Sequence, residues 1–185
     1  MKSIKIPNGV KSISDYAFSR CRSLVEIELP QTIEYIGNRS FQECEDIERV
    51  ILRGHLEEIP YGAFMGCSKL KEVDFSGVDS PAISIGSHAF DMCYRLAGIQ
   101  LPPTTTAIGE CAFINTNIEK IVIPDNVESI HRNAFEGCRN LKSVGLPKNL
   151  LTIGEYAFEN CSSLTKLEIP KSIERIGFPA FQGCT

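Results

Sequence analysis

The sequence predicts an α/β solenoid in which about eight stacked repeats fill residues 1–185 as a single domain. Three observations predict this fold: a phenylalanine that recurs every 22 to 26 residues, other residue types that stay in phase with it, and an alternating apolar pattern inside each repeat. The recurring phenylalanines, which we expect to fill the core, are Phe18, Phe41, Phe64, Phe90, Phe113, Phe135, Phe158 and Phe181.

Several residue columns stay in phase with the phenylalanine. In most repeats a proline lies eleven residues before it, as Pro30 lies before Phe41, and an Ile-Gly pair such as Ile36-Gly37 lies between the two. A cysteine follows three residues after it in every repeat except the fifth, which has Thr116. The consensus is L-x-x-I-x-I-P-x-x-I-x-x-I-G-x-x-A-F-x-x-C-x-x. One such unit cannot bury its own apolar face, so neighbouring units must complete the core.

Each part of the repeat predicts a local structure. Residues 24–29 alternate apolar and polar side chains, which is typical of a strand with one buried face, and Pro30 ends it. Ile33 and Ile36 are expected to point inward on the return path, and Gly37 to allow a sharp bend. The Ala-Phe-x-x-Cys segment spaces its apolar residues like one short helical turn. Stacked repeats of this kind would place their strands in one parallel sheet.

Composition excludes several classes of function. The formal net charge is -4 and the pI is near 5.5, so the chain as a whole has no affinity for nucleic acid or an anionic membrane. No apolar run approaches the ~18 residues of a membrane-spanning helix, so we expect no direct membrane insertion. Nothing in the sequence indicates a cofactor.

The cysteine column has three possible interpretations. Equivalent side chains of stacked repeats point the same way rather than at one another, which favours buried free thiols. Disulfides between neighbouring repeats are the first alternative, because the expected Cα distances do not forbid them. Metal binding is the second alternative, with Cys111 near His88 as the candidate pair, but no third and fourth zinc ligand is evident. We therefore predict structural thiols and no metal site.

The sequence also gives little support for catalysis. The histidines His55, His88 and His131 lie in different repeats and different columns, and no nucleophile-base set recurs with them. No phosphate-binding loop of the G-x-x-x-x-G-K-[ST] type occurs. We expect a protein that is not an enzyme and has no catalytic residues.

The repeat resembles the BspA-like leucine-rich repeat, a 23-residue subtype that is clear in residues 164–170, Leu-Thr-Lys-Leu-Glu-Ile-Pro. The resemblance implies a right-handed solenoid with a parallel sheet on its concave face and short helical turns or irregular segments elsewhere. It also implies a protein-binding or adhesion module that is extracellular or on a cell surface and binds a host matrix protein or another cell. Because the last repeat is as apolar as the interior ones, we expect the chain to be a segment of a longer protein.

The candidate binding surface is formed by the outward positions of the predicted strands. Its first half is mainly acidic around one arginine, whereas its centre carries small residues beside an apolar valine. The candidate residues are Glu26, Glu28, Arg49, Ile51, Glu72, Asp74, Gly98, Gln100, Lys120, Val122, Ser143 and Gly145. For the four carboxylates a solvated strand face is a simpler interpretation than paired catalytic acids.

Two other functions remain open at this point. The array could be a structural spacer that displays another part of a longer chain. It could also bind carbohydrate, although the chain has no tryptophan and the candidate surface carries few aromatic side chains on which a sugar could stack.

Overall fold

The computed structural model describes residues 2–185, which form a parallel β-solenoid. Their strands are short: β1 Ser12–Ile13, β2 Glu26–Glu28, β3 Tyr35–Ile36, β4 Arg49–Gly54, β5 Glu58–Ile59, β6 Glu72–Val78, β7 Ile83–Ile85, β8 Thr105–Ile108, β9 Lys120–Val122, β10 Ser129–Ile130, β11 Ser143–Gly145, β12 Thr152–Ile153 and β13 Arg175–Ile176. No helix occurs in this part of the chain, so the α/β class and the short helical turns predicted above are wrong.

Two parallel sheets run along the solenoid, and each repeat contributes one strand or bridge to one or both of them. The first sheet contains β2, β4 and β6, and a separate pair, β9 and β11, continues it further along the chain. The second sheet contains β5, β7, β8, β10, β12 and β13, with β1 and β3 paired before it. We call one repeat in this stack a rung and number the rungs 1 to 8 by their recurring phenylalanines.

The segment around each phenylalanine consists of consecutive tight turns instead of a helix. In rung 1, Tyr16 and Arg20 have φ of 57° and 61°, a left-handed conformation that a right-handed helix excludes. Their N–H groups and that of Phe18 donate to carbonyls of rung 2, while the N–H groups between them bond three residues back inside the turn. Alternate amides therefore form hydrogen bonds to the neighbouring rung, whereas an α-helix would use them for bonds within itself.

These hydrogen bonds between rungs form a ladder, and its central acceptor is the carbonyl of the residue before each phenylalanine. The Phe N–H donates to the carbonyl of the alanine of the next rung, or of Ser40, at 2.7 to 2.9 Å in all seven junctions. The eight phenylalanine rings stack in one file with centroids 5.2 to 5.6 Å apart and planes within 8° of parallel. The six inner rings are fully buried. The ladder thus fixes the spacing at which the rings stack.

The glycine of the Ile-Gly pair is required by close contact between rungs. We expected glycine here for a sharp bend, but Gly154 has no positive φ. A Cβ at this position would lie 2.7 Å from the backbone nitrogen of Arg132 and from the carbonyl carbon of His131, both in the preceding rung. Gly37, Gly86, Gly109 and Gly177 make equally short approaches to their preceding rungs. Any side chain in this column would push two rungs apart.

A pair of alanine substitutions tests this constraint. Gly154→Ala should lower the free energy of unfolding by about 1–3 kcal/mol, the usual cost of overpacking, because backbone atoms cannot yield to the new methyl group. Gly98→Ala is the matched control, because a Cβ there meets no atom within 4 Å. Urea unfolding followed by circular dichroism measures both. Equal midpoints for the two variants would contradict the explanation.

Candidate functional site

The outward side chains of the first sheet and of the β9–β11 pair that continues it form a surface, which we call the strand face. The register places Glu26, Arg49 and Glu72 side by side on rungs 2 to 4. Glu28, Ile51 and Asp74 form the neighbouring row. On the later rungs Lys120 pairs with Ser143 and Val122 with Gly145, and a bridge joins Gly98 to Lys120.

Arg49 lies between two carboxylates of the strand face. Its Nη1 is 3.8 Å from Glu26 Oε2, and its Nε is 3.2 Å from Glu72 Oε1. All three side chains are substantially exposed, so each ion pair adds little stability. The arrangement places one guanidinium group between two carboxylates on the surface.

Arg53 is a second cation on this face, and the sequence analysis did not place it there. It occupies the position where most repeats have proline, and β4 consequently runs on to Gly54. Its Nη1 lies 3.3 Å from Asp74 Oδ2, and its Nε lies 3.8 Å from Glu28 Oε1. Hydrogen bonds from Ser76, with a contribution from Arg53, lower the pKa of the Asp74 carboxyl. The missing proline was the sequence signal that could have revealed Arg53.

Ile51 contributes almost no surface, contrary to the prediction. It is only 5% exposed, although it stands on the outward side of β4. Arg53 reaches a carboxylate on each side of it, Glu28 and Asp74, and so bridges the row in which Ile51 is the central residue. The first half of the strand face therefore presents four carboxylates and two guanidinium groups, with a small excess of negative charge.

The strand face is interrupted between rungs 4 and 5. Within residues 2–185, no backbone hydrogen bond connects β6 to residues 97–103, whereas β7 and β8 of the same rungs remain paired. A cleft of about 320 Å³ lies at the interruption, lined among others by Glu72, Asp74, Gln100 and Pro103. The two rungs thus separate on the strand face while they stay joined elsewhere.

Beyond the cleft, the strand face becomes apolar. Val122 is 73% exposed, and its neighbour Gly145 has no side chain to cover it. A groove of about 640 Å³ extends here along Gln100, Pro103, Lys120 and Val122. The cleft and the groove lie on the two sides of rung 5, and both are lined by Gln100 and Pro103 of that rung.

The cysteine column has a hydrogen-bonding role that the sequence did not indicate. All eight cysteines are free. From Cys44 onward, each thiol of the column donates to the carbonyl of the phenylalanine in the preceding rung, at 3.0 to 3.3 Å. Thr116, which replaces cysteine in rung 5, instead donates its hydroxyl to Phe113 O of its own rung at 2.9 Å. The column therefore selects small side chains that carry a donor.

Burial makes these thiols poor nucleophiles. It raises the pKa of Cys44 to about 12 and that of Cys138 to about 11, and it raises the pKa of Cys67 well above its usual value. Because the thiolate is the reactive form, the column is unsuited to catalysis at neutral pH.

The region around Cys111 and His88 does not form a nucleophilic site. His88 Nδ1 lies 3.0 Å from Asp91 Oδ2, and the Asp91 carboxyl is almost fully buried with Oδ1 unpaired. Burial raises the pKa of Asp91 in spite of His88. Burial also raises the pKa of Cys111 to about 11, so its thiol is not activated. Among the described residues, no three His, Cys, Asp or Glu side chains are arranged to hold a metal ion.

An aromatic cluster on the turn side was missed because the sequence analysis considered only the strand face. Arg39 donates to the hydroxyls of Tyr16 and Tyr61 at 2.8 and 3.3 Å, with its guanidinium carbon 5.8 and 4.9 Å from the ring centroids. Because the guanidinium already covers a face of each ring, this cluster is a poor platform for stacking a sugar.

The comparisons with known proteins agree with this architecture. The sequence matches the BspA type leucine rich repeat region over residues 1–80 and 77–185. The chain belongs to this family. Its proteins are generally modules that bind other proteins and are not enzymes. No curated protein matches the sequence. No helix within residues 2–185 has the length and hydropathy to cross a bilayer.

Solved structures of bacterial leucine-rich repeat proteins have the same fold. A leucine rich repeat protein of T. pallidum is 30% identical over 89% of this chain and 78% of its own, with a TM-score of 0.78. One from Bacteroides ovatus is 24% identical over 100% of this chain and 70% of its own, with a TM-score of 0.57. A protein of Faecalibacterium prausnitzii described as a leucine rich cell surface protein is 24% identical over 100% and 71%, with a TM-score of 0.53.

Thiol reactivity tests the role of the cysteine column. Ellman's reagent should react with only the half-buried Cys21 and Cys184 in the native protein, and with all eight thiols in guanidinium. The double variant Cys21→Ser, Cys184→Ser should have no reactive thiol in its native state, and its remaining cysteines should still react in guanidinium. More than two thiols that react in the native protein as fast as in denaturant would contradict buried packing of the column.

The pH dependence of stability tests the environment of Asp91. A raised pKa means that the folded state holds this proton more tightly, so the carboxyl destabilises the fold as pH rises above its ordinary pKa of about 3.9. Asp91→Asn should therefore raise the urea midpoint at pH 7, and its advantage should fade as pH falls toward 4. Asp125→Asn, at an exposed carboxyl, controls for the loss of one charge. A lower midpoint for Asp91→Asn at pH 7 would show instead that the ion pair with His88 stabilises the fold.

Proposed function

We propose that this protein is an adhesion module that binds a protein partner through its strand face, outside the cell or on the cell surface. The observation that carries the proposal is the strand face itself, where Glu26, Arg49 and Glu72 form a row of charges and the exposed apolar Val122 lies two rungs further along. A patterned row of charges favours selective binding of a surface with complementary charge. The description of the Faecalibacterium prausnitzii protein as a cell surface protein is consistent with the proposed location.

The strand face fits a protein partner better than a sugar. Its outward positions carry no aromatic ring, and the tyrosine cluster on the turn side is occupied by Arg39. A role as a pure spacer would not require the cleft lined by Glu72 and Asp74 or the groove along Val122. Host matrix proteins or proteins of another cell are the proposed partners.

Surface plasmon resonance against a panel of purified extracellular matrix proteins tests the proposal. We expect micromolar or tighter binding to at least one of them. Glu26→Lys together with Glu72→Lys should weaken it about tenfold or more, because both substitutions place a cation beside Arg49 and reverse the charge of the face.

A second double variant separates this local effect from net charge. Glu128→Lys with Glu174→Lys makes the same change in total charge at exposed carboxylates outside the strand face, so binding should be unchanged. Equal losses in the two double variants, or no binding of the wild-type protein to any member of the panel, would contradict the proposed adhesion role.

A further inference from the structure

We propose that the groove between rungs 5 and 6 binds an extended segment of the protein partner in which a bulky apolar residue and an acidic residue lie two positions apart. This inference rests on the protein-binding function proposed above, and it names the chemistry of the segment that is bound.

The groove is a gap between two chain segments that are joined near both ends. Its walls are formed within residues 99–103 of rung 5 and by residues 120–125 of rung 6. Beyond the bridge from Gly98 to Lys120, the described chain shows no backbone pairing between these two segments. At the far end, the side-chain amide of Asn126 donates to a carbonyl of rung 5 at 3.1 Å. The groove therefore follows the direction of β9, and an occupant that fills its length is an extended segment.

The middle of the groove selects a bulky apolar side chain. Leu101, Ile121 and Ile123 line it with apolar groups that are almost fully buried, and Val122 is exposed at its rim. Gly145, which is paired with Val122 on rung 7, has no side chain to cover this valine. The groove volume of about 640 Å³ accommodates an aromatic ring. Contact with an apolar side chain of the partner would remove this exposed apolar surface from water, which is favourable.

One end of the groove selects a carboxylate. Lys120 is exposed there, and no acidic side chain among residues 2–185 lies within ion-pairing distance of its ammonium group. By contrast, Lys142 on rung 7 and Lys166 on rung 8 have ion pairs of 2.8 and 3.2 Å. Asp125 lines the opposite end of the groove and repels a second carboxylate. An acidic residue of the partner is therefore directed to Lys120.

The positions of Lys120 and Val122 set the spacing in the partner. These two residues are two positions apart on the outward side of β9, which is about 7 Å along a strand. In an extended segment, every second side chain lies on the same face and is separated by the same distance. The segment therefore carries its apolar and its acidic residue at positions i and i+2, in either chain direction.

Phage display of three designed peptide pools on the immobilised wild-type protein tests the inference. All pools contain ten-residue peptides that are random except at two positions. The first pool fixes Phe and Glu two residues apart in both orders, the second fixes them three residues apart, and the third fixes Phe and Lys two residues apart. At equal input, we expect recovery of the first pool to exceed that of each other pool about fivefold or more. In the second pool Glu points away from the groove, and in the third pool Lys is repelled by Lys120.

Variants of the groove then assign the two contacts. Peptides from the first pool should bind Val122→Ser about tenfold more weakly than wild type, and they should bind Val25→Ser, at an exposed valine of rung 2, as tightly as wild type. Lys120→Glu should reverse the charge preference, so that the pool with Phe and Lys is recovered better than the first pool. Lys171→Glu makes the same charge change at an exposed position outside the groove and should leave the preference unchanged.

Equal recovery of the three pools on the wild-type protein would overturn the inference, as would a preference for Glu that persists on Lys120→Glu. Binding of matrix proteins that was sensitive to Glu26→Lys with Glu72→Lys would in that case still support the adhesion role. Conversely, the expected pool preferences without binding of any matrix protein would support the groove and contradict adhesion.

Discussion

The whole structure depends on one repeated contact, in which the phenylalanine N–H of each rung donates to the carbonyl that precedes the phenylalanine of the next rung. This bond draws the rungs together until the rings stack near 5.4 Å, as between Phe113 and Phe135. In most rungs the phenylalanine carbonyl accepts the N–H of its own turn and also a cysteine thiol from the following rung, as Phe41 O does from Cys44 N and Cys67 Sγ. Buried backbone groups in the turns therefore have partners without any helix.

The close stacking explains which residue types the repeat requires. At this separation a Cβ on Gly109 would lie within 2.8 Å of backbone atoms of rung 4, so only glycine fits where two rungs touch at that point. The alanine column, exemplified by Ala112, is small and fully buried beside the ring file. Cysteine and Thr116 share a short side chain with a donor. The residue types of the consensus are therefore determined by the distances between rungs more than by the conformational preferences of each segment alone.

The sequence predicted the stack, the period and the in-register strand face, because these follow from repetition and from the alternation of apolar residues. It gave the wrong conformation for the Ala-Phe-x-x-Cys segment, because apolar spacing cannot distinguish a helical turn from tight turns with left-handed residues at Tyr16 and Arg20. The sequence also did not reveal that Ile51 is buried beneath Arg53 or that a cleft lies beside rung 4. Both depend on how β4 and β6 continue past the usual proline position, which pattern alone does not reveal.

Native-state hydrogen exchange by NMR tests the central contact most directly. We expect the amides of Phe41, Phe64, Phe90, Phe113 and Phe135 to exchange among the slowest in the protein, since each is buried and bonded to the next rung. The exposed amides of residues 125–126 should exchange quickly. Phenylalanine amides that exchange as fast as those exposed positions would contradict a solenoid joined through this ladder.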